Sequence, residues 1–252
     1  MSNVNDFFKD GVRQITLTSW QEFSQTILTL EKGPGYVWRG QRQDWPLTSS
    51  FDRKVKVNGQ DDRANKLAAH LDRFKTRMNK AFPNVLPPHD IDIWALGQHY
   101  QLMSPLIDWS LSPYIAAYFA VAESPEPNDD SYRYVYGLSR SLRRLMTKQK
   151  KAATLLSTDR SVPFIEQLLY PSPRFTAQQG IFTKAFQGND IHKYVLSFSR
   201  KRPSKQIIVK IRIPTSERSD CLRQLHLMNI DHISLLLDLR GVVDDCNGET
   251  LA

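Results

Sequence analysis

The chain has 252 residues, 40% of them hydrophobic and 24% charged, which is enough to bury a substantial core and excludes a disordered or fibrous chain. Its 34 basic and 26 acidic residues leave a formal charge of +8, which favours anionic partners such as nucleotides, nucleic acid or an acidic protein surface without selecting among them. Two cysteines, Cys221 and Cys246, stand in no C-x-x-C or Cys/His spacing, which argues against a disulfide framework or a metal centre and fits a reducing cytosol.

Met1 to Phe8 lacks the basic segment and apolar run of a signal peptide, and Tyr114 to Ala122, the longest nearly unbroken apolar run, is far short of the roughly 20 residues a membrane span needs. With no internal repeat and no long linker, residues 1–252 read as one cytoplasmic domain with no membrane role. Trp20, Phe23, Ile27, Leu28 and Leu30 recur near a 3.6 period and predict a helix from Thr18 to Leu30, capped by Thr18 or Ser19 and closed by Gly33-Pro34-Gly35. The next stretch, Tyr36 to Trp45, organises the chain. Tyr36, Val37 and Trp38 favour a half-buried strand that ends at Arg39, followed by Gly40 and the donors Gln41, Arg42 and Gln43. A guanidinium at the rim of an apolar strand suits bidentate recognition of carboxylate or phosphate, and a glycine lets a ligand or another backbone approach. The alternative is that Arg39 pairs with a buried carboxylate for structural reasons.

Leu67, Leu71, Phe74, Met78 and Phe82 predict an amphipathic helix over Asp61 to Phe82, stopped by Pro83, Pro87 and Pro88. A second helix over Asp90 to Tyr100 buries Ile91, Ile93, Trp94 and Leu96 and delivers Gln98, His99 and Tyr100 together at its end. Leu106 and Ile107 then predict a short strand ending in Asp108, Trp109 and Ser110, and Ser112 caps a helix whose first residue is Pro113. A capped helix start beside a strand end receives anions well, though Asp108 and Ser110 are equally suited to turn roles. After a polar loop, Glu123 to Asp130, Tyr132, Tyr134 and Tyr136 alternate as in a strand, and Ser139 to Ala153 forms a basic surface helix or loop. Gln178 and Gln179, before Gly180, place two amides on a strand or turn; they can orient a ligand but cannot act as acid or base. Ile207 to Ile213 is a strand, Arg218 to Met228 a helix, and Asp231 and His232 open the last apolar segment. The fold class predicted is α/β (α+β): a small mixed or split sheet flanked by helices.

Three ordered motifs, Trp38-Arg39-Gly40, Gln98-His99-Tyr100 through Asp108-Trp109-Ser110 with Ala117-Tyr118-Phe119-Ala120, and Ala177-Gln178-Gln179-Gly180-Ile181-Phe182-Thr183, together resemble the FRG domain, named for an aromatic-Arg-Gly signature, over about residues 20–243. Gln101 stands where that family usually has glycine, and Ser104-Pro105 where it has Thr-Arg. The order of motifs is more remotely similar to ADP-ribosyltransferases of the Arg, Ser-Thr-Ser, Glu type. That likeness implies an NAD-consuming enzyme, a toxin or phage-defence effector, with Arg39, Asp108, Ser110 and Gln179 as catalytic positions. Arg39 would hold the cofactor phosphate or ribose, Ser110 would orient the nicotinamide ribose, and Tyr100 or Trp109 would stack on the nicotinamide ring; Trp38, Gly40, Gln41, Gln98, His99 and Gln178 would complete the binding site. Gln179 replaces the expected glutamate, so Asp108 would have to supply the carboxylate. Two other classes stay open: a non-catalytic module binding nucleic acid or protein through Lys150, Lys151 and Lys201-Arg202, and a hydrolase using His99 and Asp108.

Overall fold

Alternating apolar side chains build one mixed eight-stranded sheet in the computed structural model, which describes residues 5–33, 35–141, 164–165, 172–184, 190–199 and 206–237. The strands are β1 (Asn5–Lys9), β2 (Val12–Thr16), β3 (Tyr36–Gln41), β4 (Leu106–Ser110), β5 (Tyr132–Ser139), β6 (Phe164–Ile165), β7 (Gly180–Lys184) and β8 (Ile208–Pro214), in the order β1-β2-β8-β5-β3-β4-β7-β6. β2 and β8 run parallel; the other described pairs are antiparallel. The expected α/β class with a mixed sheet is what folds.

Period-two alternation sorts the strands onto two faces. On one face Trp38, Val135, Val209 and Ile211 pack beneath α1 (Glu22–Glu31), α5 (Pro113–Val121) and α8 (Arg218–Leu227), which contribute Phe23, Ala117 and Cys221. On the other face Val37, Ile107, Trp109, Tyr136 and Leu138 join Leu47 and Val195 of α7 (Ile191–Ser199). A third cluster fixes α3 (Gly59–Ala81) and α4 (Asp90–His99) over the β4–β7 side, through Leu71, Ile93, Trp94, Leu106 and Phe182. Three short helices, α2 (Ser50–Lys54), α6 (Pro173–Ala177) and α9 (His232–Leu236), complete the described elements, with α6 packing on α9 and β7.

Several local expectations need correction. The first helix begins at Glu22, and neither Thr18 nor Ser19 is its cap; instead the Glu22 carboxylate accepts hydrogen bonds from the Thr18 N–H and hydroxyl at 2.8 and 3.0 Å. The strand bearing Arg39 continues through Gln41, so Arg39 lies within β3. Asp108, Trp109 and Ser110 form the second half of β4, which ends at Ser110 as expected. Gly40 serves the fold. A Cβ built there would lie 1.8 Å from the Ala116 carbonyl oxygen and 2.6 Å from the Ala120 nitrogen, so it is the backbone of α5, not a ligand, that approaches this glycine. The Ser112 cap and Pro113 at the first turn of α5 stand as expected, with the Ser112 hydroxyl accepting from Ile115 N–H. The basic runs at 142–151 and 200–205 lie outside the described residues.

Candidate functional site

The ladder between β3 and β4 consists of a single register pair, Trp38↔Ser110, whereas β3 and β5 share six pairs and β4 and β7 share five. Past that pair the two strands share no further register pair with each other. Arg39 bridges them, its Nη1 donating to the main-chain oxygen of Asp108 at 2.9 Å and lying 3.9 Å from the Asp108 carboxylate. Its side chain is only 19% exposed, and its Nε is buried without a hydrogen-bond partner. Burial lowers the Arg39 pKa, with Arg53 acting in the same direction and Asp108 against it; a guanidinium nevertheless stays charged at neutral pH.

Asp108 is the exposed residue of a buried strand, its side chain 62% accessible. Gln98, in the last turn of α4, holds it: the amide Nε2 donates to Asp108 Oδ1 at 2.5 Å while Oε1 accepts from the Ser104 hydroxyl. Ser104 is buried and tied to the main chain, since its Oγ accepts from Leu106 N–H and its N–H donates to Ser50 Oγ, each at 3.0 Å. The carboxylate is therefore oriented by a chain of bonds that ends in the fold. α4 terminates there in a Schellman motif: Leu102 N–H reaches the Gly97 carbonyl and Gln101 N–H the Gln98 carbonyl, with Gln101 left-handed at φ 67°. A left-handed residue there explains why a glycine suits position 101.

Above this gap, between α4 and α5, opens a cleft of about 1110 Å³. Of the residues singled out from the sequence, Trp38, Arg39, Gly40, Gln41, Gln98, His99, Asp108, Trp109, Ser110 and Gln178 border it. Tyr100 and Gln179 are not among the bordering residues. Tyr100 is 73% exposed and packs edge-on to His99, and Gln179 is an exposed turn residue at φ 46° that presents its main-chain oxygen to Leu111 N–H. Trp109 lies on the opposite face from Asp108, in the core cluster with Val37 and Ile107, its indole N–H bonded to Thr183. Neither Tyr100 nor Trp109 is placed to stack on a ring in the cleft. The Ser110 hydroxyl is committed as well, donating to the Gln178 carbonyl oxygen at 2.8 Å and accepting from Ser112 N–H at 3.0 Å. Gln178 uses its amide to reach the Leu235 carbonyl.

The walls also hold side chains that sequence reasoning missed. Phe175 and Phe182 stack at 5.0 Å on one side, and Phe119 of α5 faces the cleft from the other. His232, whose ring meets Tyr118 edge-on at 5.5 Å, has a buried Nδ1 with no hydrogen-bond partner. Arg218 donates to the carbonyls of Val121, Ala122 and Glu123, which ties α8 to the C-terminal end of α5. The aromatic spacing around Tyr118-Phe119 and Ile181-Phe182 was a signal; nothing local marked Phe175 or His232. Among the described residues no group of three His, Cys, Asp or Glu side chains is arranged to hold a metal ion, and no helix is long and apolar enough to cross a membrane.

An α/β protein with a mixed sheet, opened between two strands beneath a polar, aromatic-walled cleft, is the class these features define. Residues 34–129, from the approach to β3 to the loop before β5, match the FRG domain family. That span holds Trp38-Arg39-Gly40, Gln98 to Ser110 and Ala117 to Ala120, and ends well before Ala177 to Thr183, so it is shorter than the 20–243 expected. No curated protein and no solved structure matches the chain.

Proposed function

We propose that the cleft binds NAD or a related nucleotide and that the protein cleaves its nicotinamide–ribose bond, passing ADP-ribose to an acceptor or to water, as a toxin or phage-defence effector. The observation that carries this reading is the Asp108 carboxylate, oriented by Gln98 beside the Arg39 guanidinium in an aromatic-walled cleft. The cleft is slightly larger than the usual range of small-molecule and cofactor sites, roomy enough for a dinucleotide. Arg39, whose guanidinium borders the cleft, suits the diphosphate. Phe119, Phe175 and Phe182 offer ring faces.

In the reaction the C–N bond breaks with its electron pair leaving on nicotinamide, and C1′ bonds to the oxygen or nitrogen of the acceptor, which gives up its proton. Positive charge develops on the ribose as the bond stretches. Asp108, accepting a bond from a ribose hydroxyl, stabilises that charge by position and sign. Gln179 takes no part, because it lies outside the cleft and carries no charge.

Nicotinamide release from NAD by the purified protein, followed by NMR beside Arg39→Ala and Asp108→Asn, tests the reading. Release that both changes abolish while circular dichroism shows a folded chain supports it. No release and no thermal shift with NAD overturns it and favours a non-catalytic module.

A further inference from the structure

A second cavity, about 280 Å³, adjoins the cleft and shares Arg39, Arg53, Gln98 and Asp108 with it. Its remaining wall comes from α2 and the residues before it, with Thr48, Ser50 and Lys54, and from Gln101, Leu102, Leu106 and Ile107, after α4 and in β4. Three cations thus face one small space whose single bordering carboxylate, Asp108, is already engaged by Gln98 and lies close to Arg39. Arg53 is anchored at one end, its Nη1 donating to the Thr48 carbonyl at 2.8 Å, which aims the guanidinium without neutralising it. Arg39 brings a buried Nε that no protein group accepts from. Two guanidiniums near enough to repel, plus an ammonium, gather where no second carboxylate balances them. An anion would relieve that repulsion.

Size narrows the anion. The space is below the range that whole small-molecule ligands fill, so it suits a group rather than a nucleoside. We propose that this side pocket binds a phosphomonoester dianion carried by the ligand of the cleft, the chemistry of the 2′-phosphate of NADP, through Arg39, Arg53 and Lys54. The proposal rests on the reading of the cleft as a nucleotide site but not on the transfer of ADP-ribose.

Calorimetric titration of the full chain with NAD, NADP and inorganic phosphate, at ionic strength matched with chloride, tests it alongside the double variant Arg53→Ala/Lys54→Ala. Both side chains are exposed, so the variant folds. Wild type is expected to bind NADP at least tenfold more tightly than NAD, and the double variant to bind the two dinucleotides alike. Inorganic phosphate should bind wild type and not the variant. Binding of phosphate that depends on both residues, with no binding of either dinucleotide, keeps the side pocket and removes the dinucleotide from the cleft. Equal affinity for NAD and NADP, together with phosphate binding that ignores both substitutions, overturns the side pocket even if NAD is cleaved.

Discussion

Arg39 donates a hydrogen bond to the main-chain oxygen of Asp108 across 2.9 Å, between two strands that share one register pair. One side chain therefore replaces part of a missing ladder and presents a charge at the point where the sheet opens. Stability and the proposed binding are coupled at this residue.

Replacing Arg39 by Lys tests both roles. An ammonium keeps the charge but loses the planar fork that reaches Asp108 O and offers Nε inward. Arg39→Lys should lower stability by about 1–3 kcal/mol and abolish any NAD-dependent thermal shift, as read by urea denaturation and thermal melting with and without ligand.

The close contact of β3 with α5 gives a prediction about the fold alone. With the Ala116 carbonyl oxygen 1.8 Å from where a Cβ would stand, Gly40→Ala must push α5 away from Trp38. A loss of roughly 3 kcal/mol or more is expected, from overpacking at its upper range. A variant that unfolds at the wild-type urea midpoint would refute this packing.

Gln101 predicts the opposite sign. It holds a left-handed backbone conformation at the end of α4, which costs a side-chain-bearing residue about 1 kcal/mol relative to glycine. Gln101→Gly should leave Gln98 and Asp108 in place and raise stability by up to about 1 kcal/mol in chemical denaturation. A fall in stability would mean that the Gln101 side chain contributes more than the backbone strain costs.

Acid should weaken the sheet's other face through Asp44. Burial opposes its ionisation, but hydrogen bonds from Lys210 and Tyr136 outweigh burial and lower its pKa. A carboxylate whose folded pKa is lowered stabilises the fold fully above its unfolded value, near about 4, and the contribution is lost as pH falls through the lower folded value. The stability gap between wild type and Asp44→Asn should therefore be present at neutral pH and close under acid, measured by urea denaturation across that range. A gap that does not depend on pH would remove Asp44 as the source.

Elements whose signal is local were legible in the chain. The Ser112-Pro113 start of α5 is such a case, because a capping hydroxyl and a fixed φ act within one turn. The long periodic helix α3 and the alternating β8 are others. Strands β1 and β2 were not anticipated, since Asn5–Thr16 has little alternation of its own and gains order from pairing β2 with β8, almost two hundred residues away. Helices α2, α6 and α7 were not anticipated either, although Ser49 and Ser172 cap the first two. At the site, Arg39, Gln98, His99 and Asp108 could be named from residue type and spacing. Their assembly could not, because it depends on which strands pair and where the pairing stops.

The sequence by itself determined the mixed α/β class, the α5 cap and the polar residues that border the cleft, because propensity, periodicity and capping are properties of neighbouring residues. Only the tertiary structure decided the rest. It set the single register pair that opens the sheet at Arg39, turned Trp109 and Gly40 into packing residues, and left Gln179 and Tyr100 outside the cleft. Those outcomes follow from strand register and helix docking. A side chain's face in a sheet is set by pairing with distant strands, and a one-residue change of register would have reversed the assignments of Trp109 and Gly40.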